Sequence, residues 1–361
     1  MQKLSVNKTL FFLLTVNIGY ITGVGLSPLI QPAYYLIFLF FLLYFTKTAI
    51  NLRNSYFITS LVMGIFVSAL IFFQYFALNV DVVRGLIRFA LPFFTFATSI
   101  LLYEVLEKKD KEVFFRNLLK FMFYLLCLDL VWRLSLNLNG LSGGLSSRYV
   151  VKSGGLIFYD SNFNGFFAGL FYIAAKGKAP KFVSRGFIFL ALCSASLATY
   201  GGLIIYAIFM QSAKFLGTTL NSLIFLACVF IVTFSTIHLT GYDGSLDTKL
   251  DMVIDFSEFF NSIGSSQLLG IGFGNYQEVM VSRHSAHNLL SQFIEGGLLY
   301  MLAIVIFYFY LFKGRPGALS VFPYIFSVGM FSFYPVIYSS LIFFFLYVSF
   351  QHRRAYHDVL S

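Results

Sequence analysis

Apolar residues in this chain come in long unbroken runs, not in alternation with polar ones, and polar connections separate the runs. A lipid-spanning helix needs about 20 consecutive apolar residues, fewer where flanking side chains snorkel to the interface. On that criterion twelve spans are predicted, at 9–28, 32–46, 56–78, 86–106, 117–135, 162–175, 183–198, 201–213, 219–238, 289–312, 317–334 and 337–350. The pair 183–198 and 201–213 requires a tight turn at Thr199-Tyr200-Gly201-Gly202, and one long kinked helix is the alternative. Two connections are long, about 136–161 and about 239–288. Within the second, Leu250, Val253, Ile254 and Phe256 recur at helical spacing with acids between them. That pattern predicts an amphipathic helix over Asp247 to Phe260 lying at the membrane surface. The expected fold class is an all-α integral membrane protein, with 1–361 forming a single polytopic membrane domain and no internal repeat evident.

Composition strengthens this picture. Of the 361 residues, 58% are hydrophobic and only 11% charged, against roughly 25% charged in soluble chains. A polar surface cannot be built from so few charges. The net charge of +10 would invite a nucleic-acid partner, but its distribution argues otherwise. Taking alternate connections, one side holds 18 of the 25 Lys and Arg residues and the other 7: Arg84, Arg88, Arg133, Arg148, Lys152, Lys249 and Arg283. Basic residues stay on the cytoplasmic side, so both termini are expected inside and both long connections outside, with no nucleic acid among the partners. The first run, after Lys3 and Lys8, imitates a signal peptide but is read as an uncleaved helix. Cys127, Cys193 and Cys228 sit in apolar runs without His partners and read as packing residues.

The outer-side arginines run against the orientation rule and are informative for that reason. Arg84 and Arg88 are four apart on one predicted helix, Arg133 ends another, and Arg148 and Arg283 lie in the long connections. Snorkelling to lipid phosphate explains any one of them. Five together point to a diphosphate site, because guanidinium forks match phosphate oxygens. His284 and His287 fall in Ser282-Arg283-His284-Ser285-Ala286-His287-Asn288, just before a span. If the helix begins there, His287, Asn288, Ser291 and Glu295 lie near one stripe, and a His at that mouth suits a general base. The plain alternative is a polar helix start capped by Ser285 or His284.

Upstream, Gly270-Ile271-Gly272-Phe273-Gly274-Asn275-Tyr276 follows no strand, so a dinucleotide site is excluded and the glycines are expected to let the backbone turn tightly. Asp160-Ser161-Asn162 is a good helix start, with Asp160 or Ser161 as cap. No Asp-x-Asp pair occurs, which disfavours a metal-dependent transferase using a soluble nucleotide sugar. No carboxylate or Cys stands at ligand spacing near the histidines, so no metal site is expected.

Together these segments resemble the O-antigen polymerase and O-antigen ligase superfamily of bacterial envelope enzymes. Asp160-Ser161-Asn162 is similar to that family's Asp-Pro-Asn signature. The stronger likeness is Gly270 to Tyr276, then His287-Asn288, then Glu295-Gly296-Gly297-Leu298, and it covers about 40 residues closely. Arg84-Gly85-Leu86-Ile87-Arg88-Phe89 also resembles the family's upstream arginine helix. Two features depart from the pattern. Ala198-Thr199-Tyr200-Gly201 stands where the family often has Ser-Arg, leaving Arg133 or Arg148 to substitute, and only Lys249 opens the loop helix.

The resemblance implies a GT-C-like bundle in the bacterial inner membrane with a periplasmic active site. Donor and acceptor would be glycans on undecaprenyl diphosphate, with membrane lipid around them, a chain-length regulator protein as a further partner, and no cofactor. A sugar hydroxyl would attack the anomeric carbon and lipid diphosphate would leave. Arg84, Arg88, Arg133, Arg148 and Arg283 would stabilise the leaving charge. His287, with His284 beside it, would serve the acceptor hydroxyl. Asp160, Asn162, Tyr276, Asn288 and Glu295 would shape the glycan cleft. Polymerase is the expected member. A ligase, a capsule or exopolysaccharide polymerase, or a transporter or flippase are the alternatives; a transporter would place charges at mid-bilayer in interrupted helices of two related halves.

Overall fold

The computed structural model describes residues 54–104, 108–136, 161–176, 178–194, 196–212, 244–261, 266–276, 289–312, 321–331 and 342–349. Every regular element among the described residues is helical. In chain order these are α1 Ser55–Leu78, α2 Val82–Gly85, a π-helical turn Leu86–Ala90, α3 Leu91–Glu104, α4 Lys108–Leu136, α5 Ser161–Ala175, α6 Lys181–Cys193, α7 Leu197–Ser212, α8 Gly244–Asn261, α9 Ser266–Leu269, α10 Leu289–Phe312 and α11 Phe322–Phe331. Residues 342–349 are also helical. Two of these helices, α1 and α10, are long and apolar enough to cross a membrane by length and composition. Each carries an exposed apolar stripe: Val62, Ile65, Phe73 and Phe76 on α1, and Leu302, Val305, Ile306 and Phe309 on α10.

The spans predicted at 56–78, 162–175 and 289–312 coincide with α1, α5 and α10 to within a residue. The predicted 117–135 span is the end of a longer helix. α4 begins nine residues earlier, at Lys108, because Lys and Glu are good helix formers although too polar to count toward an apolar span. The predicted spans 9–28, 32–46 and 219–238 lie outside the described residues.

The turn expected at Thr199 to Gly202 is not there. These residues are helical, and the break falls between Cys193 and Leu197. Serine hydroxyls make it. The Ser194 Oγ donates to the Ala191 carbonyl and accepts from the Ser196 amide, while the Ser196 Oγ accepts from the Thr199 amide. That is an N-cap for α7, and it outweighs the glycine pair that drew the sequence reading.

The chain divides into two compact units, one comprising Met1–Ile58, Thr95–Tyr200 and Tyr338–Ser361, the other Thr59–Phe94 and Gly201–Ile337. In the first, α4 buries Phe115, Leu119, Met122 and Leu126, a stripe at three- and four-residue spacing. An aromatic core joins α3, α4, α5 and the 342–349 segment, with Tyr103 against Phe344 and Phe171 against Phe345. In the second, Phe93 meets Phe307 edge to face with ring centroids 5.1 Å apart.

The amphipathic helix predicted over Asp247 to Phe260 is α8, but its buried face differs from the expected one. Met252, Asp255 and Phe259 are buried while Ile254 is exposed. Phe256 and Phe260 complete the inward stripe against Tyr276 and Ile294. Asp255 is turned inward because it accepts a hydrogen bond there from the Tyr276 hydroxyl.

Candidate functional site

In the second unit the Gly270–Tyr276 loop is held against the start of α10. Gly297 interrupts α10 with φ 66° and ψ −170°. Carbonyls before such a break lack their usual helical partners. Two of them, on Ile294 and Glu295, accept from the Ile271 and Gly272 amides, each at 3.1 Å. The crossing is backbone on backbone. A Cβ on Gly270 would run into the Glu295 carbonyl and the Gly297 amide, and one on Gly297 would run into the Gly270 amide and the Leu268 carbonyl. Gly270, Gly272 and Gly274 have φ of 78°, 97° and 91°, a region open to glycine at little cost.

Gln74 of α1 clamps this crossing, although sequence reasoning passed over it. The side chain is fully buried. Its Nε2 donates to the Leu269 carbonyl and, at 2.9 Å, to the Glu295 carbonyl. Its Oε1 accepts from the Phe273 amide at 3.2 Å. The available signal was a lone amide in an otherwise apolar helix. Below the crossing, the Tyr276 amide donates to the Glu295 carboxylate at 3.2 Å and the Tyr276 hydroxyl donates to Asp255 at 2.9 Å. Tyr276, Glu295 and Asp255 are all buried, so α8 is latched to the loop by one phenol. The Gln292 amide is buried here too. It accepts from the Tyr300 hydroxyl, and its Nε2 has no hydrogen-bond partner.

The π turn belongs to the same assembly. Phe89 packs on Phe273 with centroids 4.3 Å apart, and both meet Tyr300. Half-buried Arg88 is its sequence neighbour, and Arg84 lies in α2 just before. Backbone bonding there runs i to i+5, a wider turn than the straight helix expected for the two arginines. The second unit thus packs the turn that carries Arg88 against the loop that ends at Tyr276, through Phe89 and Phe273. Arg283, His284, His287 and Asn288 lie outside the described residues, in the stretch whose sequence links Tyr276 to Leu289.

Arg133 belongs to the first unit and is not presented as an exposed phosphate ligand. It is 1% exposed and its Nε bonds the Asp129 carboxylate at 2.7 Å, one turn back on α4. The same carboxylate oxygen accepts from the Asn164 Nδ2 on α5. A buried arginine needs such a counter-charge, since an uncompensated charge in the interior costs several kcal/mol. Asp129 was legible as an acid four residues before Arg133, yet the sequence reading left it unused. A cavity of ≈ 10 Å³, room for about one water, adjoins Arg133, Asn164 and Ser194. The Asn164 Oδ1 has no hydrogen-bond partner. Asn162 is half-buried in the first turn of α5, and Asp160 and Arg148 lie outside the described residues.

No protein-family model, curated protein or solved structure matches this chain, so its function is read from these residues and their geometry.

Proposed function

We propose that this chain is an O-antigen polymerase, a polytopic GT-C-like glycosyltransferase of the bacterial inner membrane with about twelve spans and its site on the periplasmic face. The observation that carries the reading is the seating of Gly270–Tyr276 on Glu295-Gly296-Gly297. These are the segments on which the family resemblance rests, and they meet although some 20 residues apart in sequence. The apolar outward stripes of α1 and α10 support a lipid environment. The excess of Lys and Arg on one set of connections supports the orientation.

In this reading the acceptor hydroxyl gives its proton to His287 and forms a bond to the anomeric carbon of the donor. The bond from that carbon to the diphosphate oxygen breaks, and undecaprenyl diphosphate leaves with both electrons. Arg84, Arg88, Arg148 and Arg283 stabilise the charge gathering on the leaving group, where fixed donors lower the barrier most. Arg133 drops out of that set because its charge is spent on buried Asp129. Tyr276 and Glu295 fix the loop that leads to His287.

The test is deletion of the gene in its host, followed by electrophoresis of envelope polysaccharide. The expected result is loss of the long ladder with a single attached repeat retained. Complete loss of attached glycan would indicate a ligase instead. An intact ladder overturns both.

A further inference from the structure

At the opposite end of the first unit from Arg133, α4 presents Val113, Arg116, Asn117 and Lys120 along one side, at spacings of three, four and seven residues. The turn between α5 and α6 faces them with Lys178 and Pro180, and the six residues line an open cavity of ≈ 380 Å³. That is within the size range of small-molecule sites, roughly 300–1,000 Å³. Three of the six lining residues are cations and none is a carboxylate. Lys178 is fixed in place: its Nζ donates to the Ser349 carbonyl at 2.6 Å and lies 5.4 Å from the Phe115 ring centroid. Among the described residues neither Arg116 nor Lys120 forms an ion pair.

Three like charges around one cavity repel each other unless an anion joins them. The surroundings say which kind. One and two turns beyond Lys120, Tyr124 and Leu128 are exposed, and so are Phe182 and Phe189 on α6. The two helices pack through Phe123, whose ring meets both Phe182 and Phe187. A basic cavity continuous with an exposed apolar face fits a molecule with an anionic head and a hydrocarbon tail, not a free ion. Basic pockets between helices at the cytoplasmic surface bind acidic lipid headgroups in this way.

We propose that this cavity holds the phosphate headgroup of an anionic phospholipid, with Arg116, Lys120 and Lys178 around the phosphate and acyl chains along Tyr124, Leu128, Phe182 and Phe189. This inference rests on the membrane reading above. It adds a lipid site on the cytoplasmic side that shares no residue with the proposed catalytic set.

The test uses the full chain purified in a neutral detergent, with native mass spectrometry of lipid adducts. The expected result is retention of phosphatidylglycerol about tenfold above phosphatidylethanolamine, and a comparable loss in the R116Q/K120Q double variant. The charge-conserving variant R116K/K120R should keep the adduct, as should R185Q, which removes an exposed cation of α6 outside the cavity. Equal retention of the two lipids, an unaffected double variant, or an equal loss in R185Q overturns the site. Displacement of the lipid by millimolar inorganic phosphate, with phosphate binding equally well in its place, overturns the lipid assignment. A chain that stays monodisperse without detergent would instead sink the membrane reading itself, whatever the lipid result.

Discussion

Among the described residues each unit contains a buried polar knot, and the two are tied differently. In the first, Asp129, Arg133 and Asn164 are joined entirely through side chains. In the second, the loop at Gly270 crosses α10 at Gly297 through main-chain atoms, with the Gln74 amide as a side-chain clamp at the crossing. The difference predicts how each fails. A side-chain knot is intolerant of losing one member but tolerant of losing them all together, because an apolar core of equal volume satisfies the same space. A backbone knot has no such escape, because no other residue supplies glycine's φ and missing Cβ.

The largest effect is therefore expected at Asp129. The D129A variant leaves Arg133 buried without its counter-charge and should cost about 3–5 kcal/mol, read as loss of monodisperse protein or a large drop in unfolding temperature. The double variant D129L/R133M should recover part of that loss, the remainder being the buried Asn164 Nδ2 left without its acceptor. A recovered double variant that still polymerises confirms Arg133 as structural. Recovery of stability without activity would return Arg133 to the diphosphate set.

Next comes the backbone knot. G270A forces a non-glycine residue into a positive-φ conformation, costing about 1–3 kcal/mol, and also pushes the Glu295 carbonyl away. No second-site substitution at Gln74 should rescue it; rescue by Q74A would mean that the crossing is set by side chains after all. The smallest effect is expected for Y276F, which removes the hydroxyl bonded to Asp255 and leaves the ring in place. It should cost about 1–2 kcal/mol, with the signature that protease cleavage within α8 rises while α4 stays protected. Uniform protection of α8 would show that the Tyr276–Asp255 bond does not latch it.

The two knots were unequally legible in the sequence. The glycines announced a tight turn, because positive φ has few other residue solutions, but the contact of that turn with Glu295-Gly296-Gly297 was not foreseen. The Asp129–Arg133 pair was visible only as spacing within an apolar run, and Arg133 was assigned outward because orientation counting treats every basic residue as interfacial. Gln74 and Asn164 carried no charge and broke no helix, so a reading built on charges and helix breaks passed over them, Gln74's one local mark being a lone amide in an apolar helix. The Ser194-to-Ser196 break was masked by the stronger helix-breaking reputation of Gly201-Gly202, which sits unbroken inside α7. α8 was recognised as a helix, but Asp255 faces inward for a partner 21 residues away, and hydrophobic periodicity does not register such a partner.

The most direct measurement is reconstitution of the purified chain in liposomes with the host's undecaprenyl-diphosphate-linked repeat unit, followed over time by product length. The account predicts glycans of increasing length together with release of undecaprenyl diphosphate, and abolition of both in H287A at normal protein levels. Undiminished single repeats with no diphosphate lipid released, from a folded and correctly inserted chain, would contradict it.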